Sequence, residues 1–166
     1  MAESLLVVIV DDDASMRNST RRLIRSFGFR AEAFASGREF LNSGCLTETA
    51  CLILDVQMPG MDGWELQRLL ANANHRIPII FVTAYASDDE QRRATRAGAV
   101  DFLRKPVSEQ ALISAIQVVL RRSRQDEHGQ MDAATVNQKI VSKRLGRTEA
   151  IGYERLPNKA PITEAA

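Results

Sequence analysis

The chain has 166 residues, 45% of them hydrophobic, and a formal net charge of +1. That length suits one domain, or one domain with a tail, and the apolar content can support a sizeable core. The near-zero charge gives no strong steering toward nucleic acid or membrane.

The first apolar run, Leu5–Val10, reads as a strand. It is too short for a membrane span, runs straight into acids, and has no basic region before it, so it is a poor signal peptide. A helix follows over Ala14–Phe27, with Met16, Thr20, Leu23, Ile24 and Phe27 on one face and Gly28 placed to stop it in the left-handed conformation. Arg30–Phe34 is the second strand, Gly37–Leu41 a short helix, and Cys51–Asp55 the third strand. Cys45 and Cys51 lack metal-ligand or redox spacing and read as ordinary thiols of a reducing compartment, which makes the cytoplasm the expected address. A helix over Trp64–Ala73, a strand over Pro78–Thr83 and a helix over Asp88–Ala97 closed by Gly98 come next. The strand Asp101–Arg104 leads to a last helix, Ser108–Arg122, with Ser108 as N-cap and Leu112, Ile113, Ile116, Val119 and Leu120 inward. Strands that are apolar throughout need cover on both faces. The expected fold is therefore α/β, a doubly wound five-stranded parallel sheet with helices on both faces.

Polar residues stand where the buried strands stop: Asp11, Asp12 and Asp13 after the first, Asp55 at the third, Thr83 at the fourth, Lys105-Pro106 after the fifth. In an open parallel sheet the carboxyl ends of the strands form the ligand crevice. Crowding Asp11, Asp12 and Asp55 is unfavourable, because two unit charges about 4 Å apart repel by roughly 4 kcal/mol at an effective dielectric of 20. Either one carboxyl stays protonated or a cation offsets the repulsion. Hard carboxylate oxygens select Mg2+ or a similar ion such as Mn2+, and a carboxylate beside it can attack phosphorus. Lys105 and Thr83 would supply the ammonium and hydroxyl that transferred phosphoryl oxygens require.

Val10-Asp11-Asp12, the stretch Leu54-Asp55-Val56-Gln57-Met58-Pro59-Gly60-Met61-Asp62-Gly63, Val82-Thr83-Ala84 and Arg104-Lys105-Pro106 together resemble the receiver domain of two-component response regulators, over roughly residues 4–123. The resemblance implies a flavodoxin-like strand order 2-1-3-4-5. It implies that Asp55 accepts a phosphoryl group from a histidine kinase or phosphotransfer protein, so that the chain is a signalling protein whose only catalysis is its own phosphotransfer and dephosphorylation. It implies that Asp12 binds Mg2+ directly, Asp11 largely through water, and the Gln57 backbone carbonyl completes the set. Lys105 would pair with phosphoryl oxygens beside a cis bond to Pro106, Thr83 would hydrogen-bond the phosphoryl group, and Phe102 would turn inward behind it as the switch aromatic. Gln57 and Tyr85, two beyond Asp55 and Thr83, would border the path of the hydrolytic water.

Other motifs have plainer readings. Asp13 reads as a helix-start residue, and Pro59-Gly60 and Asp62-Gly63 as turn chemistry. His75 and His128 read as surface residues. The acidic run is not an EF-hand, since the alternating ligands, the Gly and the terminal Glu are missing, and no phosphate loop for a flavin follows the first strand. The Asp88–Ala97 helix has only Ala94 and Ala97 as apolar residues, which predicts a weakly held element. With strand 101–104 and helix 108–122 it forms the expected partner face, including for a homodimer. Residues 124–166 read as a linker and a short, partly helical or disordered tail. Part of it, Asn137 to Glu149, resembles a fragment of a helix-turn-helix output domain, which gives the alternative of a transcriptional regulator that contacts DNA. The tail lacks the apolar residues for a separate core, which disfavours that alternative.

Overall fold

The computed structural model describes residues 5–123. The chain divides at Arg124, and everything expected of residues 124–166, including the helix-turn-helix-like piece and His128, lies outside the described residues.

The strands are β1 (Leu6–Val10), β2 (Arg30–Phe34), β3 (Thr49–Asp55), β4 (Ile79–Thr83) and β5 (Asp101–Arg104). Between them lie α1 (Ala14–Ser26), α2 (Gly37–Asn42), α3 (Gly63–Asn72) and α4 (Asp88–Arg96), and α5 follows, with described residues 109–123. Every pairing is parallel and the order is β2-β1-β3-β4-β5, as the receiver resemblance implies. β1, β3 and β4 are interior strands, and their apolar runs are buried almost without interruption. β2 and β5 are the edges and carry polar, exposed residues, Arg30 and Glu32 in β2 and Asp101 and Arg104 in β5, which suits strands with one free side.

Successive strand residues point to opposite faces, so parity sorts the core. Val7, Ile9, Ile53, Ile80 and Val82 meet Ile24 of α1 and Leu112, Ile113, Ile116, Val119 and Leu120 of α5. Leu6, Val8, Leu52, Leu54 and Phe81 meet Phe40 of α2, Trp64, Leu66 and Leu70 of α3, and Ala94 of α4. Among the described residues no helix is long and apolar enough to cross a membrane.

The helix starts follow from short polar side chains. Asp13, Ser36, Asp62 and Ser87 each accept a backbone N–H of the first turn, and Ser108 Oγ accepts from Ala111 N at 3.1 Å. Each such cap contributes about 1 kcal/mol. Gly28 and Gly98 adopt the left-handed conformation that ends α1 and α4.

Three local expectations need correction. Phe27 does not belong to the inward face of α1: the helix stops at Ser26, and Phe27 is its C-cap with 52% of its surface exposed. β3 begins two residues before Cys51, at Thr49, which faces Leu6 across a register irregularity. Asp62-Gly63 is a helix start rather than a turn. Asp62 caps α3, and Gly63 lies against the β3 backbone, where a Cβ would collide with the Asp55 carbonyl.

Candidate functional site

The strand ends bring the expected polar residues together. Asp11 and Asp55 are buried immediately past or at the ends of β1 and β3, while Asp12 is exposed beside them. One carboxylate oxygen from each of Asp11, Asp12 and Asp55 lies within 4.8 Å of the others. Lys105, just past β5, places its Nζ 2.9 Å from Asp11 Oδ2 and 2.9 Å from Asp55 Oδ2. Parity explains this convergence: Asp11 continues the Val7–Ile9 face, Asp55 the Ile53 face and Lys105 the Leu103 face, all on the α1/α5 side. The Lys105–Pro106 peptide bond is cis.

Backbone groups fix the carboxylates. Asp11 Oδ1 accepts from Asp13 N at 2.9 Å, and Asp55 Oδ1 accepts from Gln57 N at 3.0 Å. Lys105 N donates to the Thr83 carbonyl at 2.8 Å and ties the β5 loop to β4. The Thr83 side chain is fully buried, and its hydroxyl exchanges hydrogen bonds with the backbone of Tyr85, at 3.1 Å to the carbonyl and 3.2 Å from the amide. Phe102 is partly buried and packs on the α2/α3/α4 side of the sheet, the side to which Phe81 belongs. Gln57 is exposed, and Tyr85 has 70% of its surface in solvent.

Burial raises the Asp55 carboxyl above its ordinary range, against the lowering effect of Lys105 and the Gln57 amide. Burial also works against the Lys105 ammonium, yet the bonds from Asp11 and Asp55 outweigh it and its pKa rises. The two directions are compatible. Lys105 answers to two carboxylates, whereas Asp55 has one ammonium and Asp11 as a like-charged neighbour. Asp13 behaves differently: amide bonds from Met16 and Ser15 lower its pKa, as befits a cap.

Three carboxylates against one ammonium leave uncompensated negative charge, and the donors are all hard oxygens, so the residues present fit a small divalent cation.

Two contributors were not legible in the sequence. Arg17 donates from its guanidinium to the Asp11 carbonyl at 2.7 Å and the Asp12 carbonyl at 3.2 Å, bracing the acidic loop from the first turns of α1. The only signal was a cation at helix spacing behind an acidic run. Arg93 of α4 lies 4.5 Å from the centroid of the Trp64 ring, which itself packs on Phe81 with ring centroids 4.4 Å apart. Asp12, Gln57, Met58, Trp64, Glu90 and Arg93 line a groove that leads from the carboxylates toward α4.

A parallel sheet of this order with carboxylates, a hydroxyl and an ammonium at its strand ends defines a receiver. The family model for the response regulator receiver domain matches residues 7–117, and the chain belongs to that family. It is 42% identical over 131 residues to nodulation protein W of Bradyrhizobium diazoefficiens, covering 79% of this chain and 58% of that one. It is 37% identical over 141 residues to the response regulator protein TmoT of Ectopseudomonas mendocina, covering 84% of this chain and 64% of the relative. Among solved structures, response regulator StyR superposes with a TM-score of 0.71 at 39% identity, over 82% of this chain and 69% of that one. The chain spans about half to two thirds of the length of the curated relatives it matches first.

Proposed function

We propose that this chain accepts a phosphoryl group on Asp55 from a histidine kinase or phosphotransfer protein in the cytoplasm. The observation that carries this reading is the Asp11–Lys105–Asp55 bridge, with Asp12 alongside, at the carboxyl ends of three parallel strands. Asp11 and Asp55 are both tied to a backbone amide, to Lys105 and to the carboxylate cluster, and the choice of Asp55 rests on its place in the receiver-like stretch Leu54 to Gly63. An Asp55 carboxylate oxygen attacks phosphorus, the P–N bond to the donor imidazole breaks, and the electron pair leaves with the imidazole. Lys105 then exchanges its carboxylate partners for phosphoryl oxygens, and Thr83 releases the Tyr85 carbonyl to donate its hydroxyl to the same group. Asp11, Asp12, Asp55 and the Gln57 carbonyl would hold Mg2+ or Mn2+, which neutralises charge on the phosphoryl oxygens when bound. Gln57 and Tyr85 border the approach of the water that later regenerates the carboxylate, although Tyr85 must swing inward from solvent to cover it.

Occupancy of Asp55 biases Thr83 and Phe102 and, through them, the surface formed by 88–97, 101–104 and 108–122, which binds a partner or a second copy of the chain. A DNA-binding output through 124–166 is not part of this reading, because the observations behind it all fall within residues 5–123. Incubation with acetyl phosphate and Mg2+ should add one phosphoryl mass, lost in excess chelator and lost in Asp55→Asn. Labelling of Asp55→Asn at the wild-type level would refute the assignment.

A further inference from the structure

Beneath the carboxylates, on the side covered by α1 and α5, the helices do not close over the sheet. A cavity of about 220 Å3 lies there. Its walls are Ile9, Ile53 and Val82 from the three interior strands, Met16 and Leu23 from α1, and Leu112 from α5. One end reaches Asp11 and Asp55, and Ser19, Thr20 and Glu109 also line it. The sequence accounts for the space. On the inward face of α1 only Ile24 is buried, and the position between Met16 and Leu23 is a threonine, too short to reach the sheet. Ser19 beside it folds its hydroxyl back onto the Ser15 carbonyl at 2.8 Å and fills nothing.

Protein interiors rarely leave voids larger than a water molecule, and an apolar cavity of roughly 150 Å3 stays dry and takes up benzene. This one is larger and mostly apolar, and it is not closed off: the exposed Ser19 and Glu109 stand among its few polar groups. Those groups are hydroxyls and carboxylates, and no lysine or arginine lines the space. A molecule seated here is therefore selected for an apolar body and for a donor rather than an anionic group.

We propose that the α1/α5 cavity is a binding site for a small, neutral, largely apolar organic molecule with one hydrogen-bond donor, about the size of phenol. The ring lies among Met16, Leu23 and Leu112, with its hydroxyl turned to Thr20 and Glu109. This inference does not depend on phosphoryl chemistry, and its test needs neither kinase nor metal.

The test titrates phenol into the full chain and follows methyl resonances by NMR. Saturable shifts are expected at Ile9, Ile53, Leu23 and Leu112, with half-saturation below about 1 mM. Benzoate, of similar size but anionic, should bind at least about tenfold more weakly, because the Asp11, Asp55 and Glu109 carboxylates line the space and no lysine or arginine does. Thr20→Leu pushes a larger side chain into the space and should raise half-saturation at least about threefold, while Thr20→Val keeps the space, loses the hydroxyl and should retain weaker binding. No saturation by about 10 mM phenol would overturn the proposal, since even a small ligand in a matched cavity exceeds that affinity. Benzoate binding as tightly as phenol would overturn it too, as would an unchanged half-saturation in folded Thr20→Leu. Should Thr20→Leu fail to fold, the wild-type phenol and benzoate titrations decide alone.

Discussion

α4 and α5 flank the edge strand β5 on opposite faces and are attached in opposite ways. α5 buries Leu112, Ile113, Ile116, Val119 and Leu120. At roughly 1.5–3 kcal/mol for each large aliphatic side chain, these five contribute on the order of 10 kcal/mol. α4 buries Ala94 alone. Its remaining attachments are the Arg93–Trp64 stack and a 3.3 Å hydrogen bond from Gln67 Nε2 to the Ala97 carbonyl. The stack is worth about 0.5–2 kcal/mol. What α4 lacks in docking it has in local order: a Ser87–Glu90 capping box, acids through its first turn, and Arg93 and Arg96 in its last. Those charges suit the helix dipole at both ends. A helix can thus be well formed and weakly docked, and such an element shifts as a unit without melting. That is the property the proposed switch requires.

The largest expected difference between the two sides lies with α5, at Cys51. It sits fully buried in the core shared with α5, and burial pushes its thiol up to about 12. At pH 8 only about one in 10,000 such thiols is ionised, a suppression near a thousandfold relative to an ordinary cysteine. A maleimide or iodoacetamide time course should label Cys45 and spare Cys51 until the domain unfolds. Cys51 labelling as fast as Cys45 would mean that the α5-side core opens readily. Next in size, Ile116→Ala should lower unfolding free energy in urea by about 2–5 kcal/mol. A loss below about 1 kcal/mol would put α5 on the same footing as α4. Smallest is Arg93→Ala, which should speed amide exchange across 88–96 by about 2- to 30-fold, the equivalent of the stack, and leave 109–123 unchanged. Equal exchange in variant and wild type would show that the stack does not fasten α4.

Much of this was legible in the sequence because it depends on short-range rules. Apolar runs placed the strands, and the polar residues where they stop marked the crevice at their carboxyl ends. Ser108 and Asp13 read correctly as helix-start residues because capping is local chemistry. Phe27 was misplaced because helical periodicity does not know where a helix ends; Gly28 at φ 86° turns the chain one residue later. Gly63 looked like a turn residue, since nothing local announces that the β3 backbone will leave no room for a Cβ. The Trp64–Arg93 stack was hidden for a related reason: its partners come from separate helices and meet only through tertiary packing.

Lys105 lies 94 positions after Asp11 and 50 after Asp55, the partners it bridges. A ribosome delivers the acids early and their counter-charge late. A chain interrupted after α4 has all three acids but neither the fifth strand nor the ammonium that bridges two of them. The bridge between the carboxylates therefore forms only once β5 and the residue after it have been made, well after the acids that it joins.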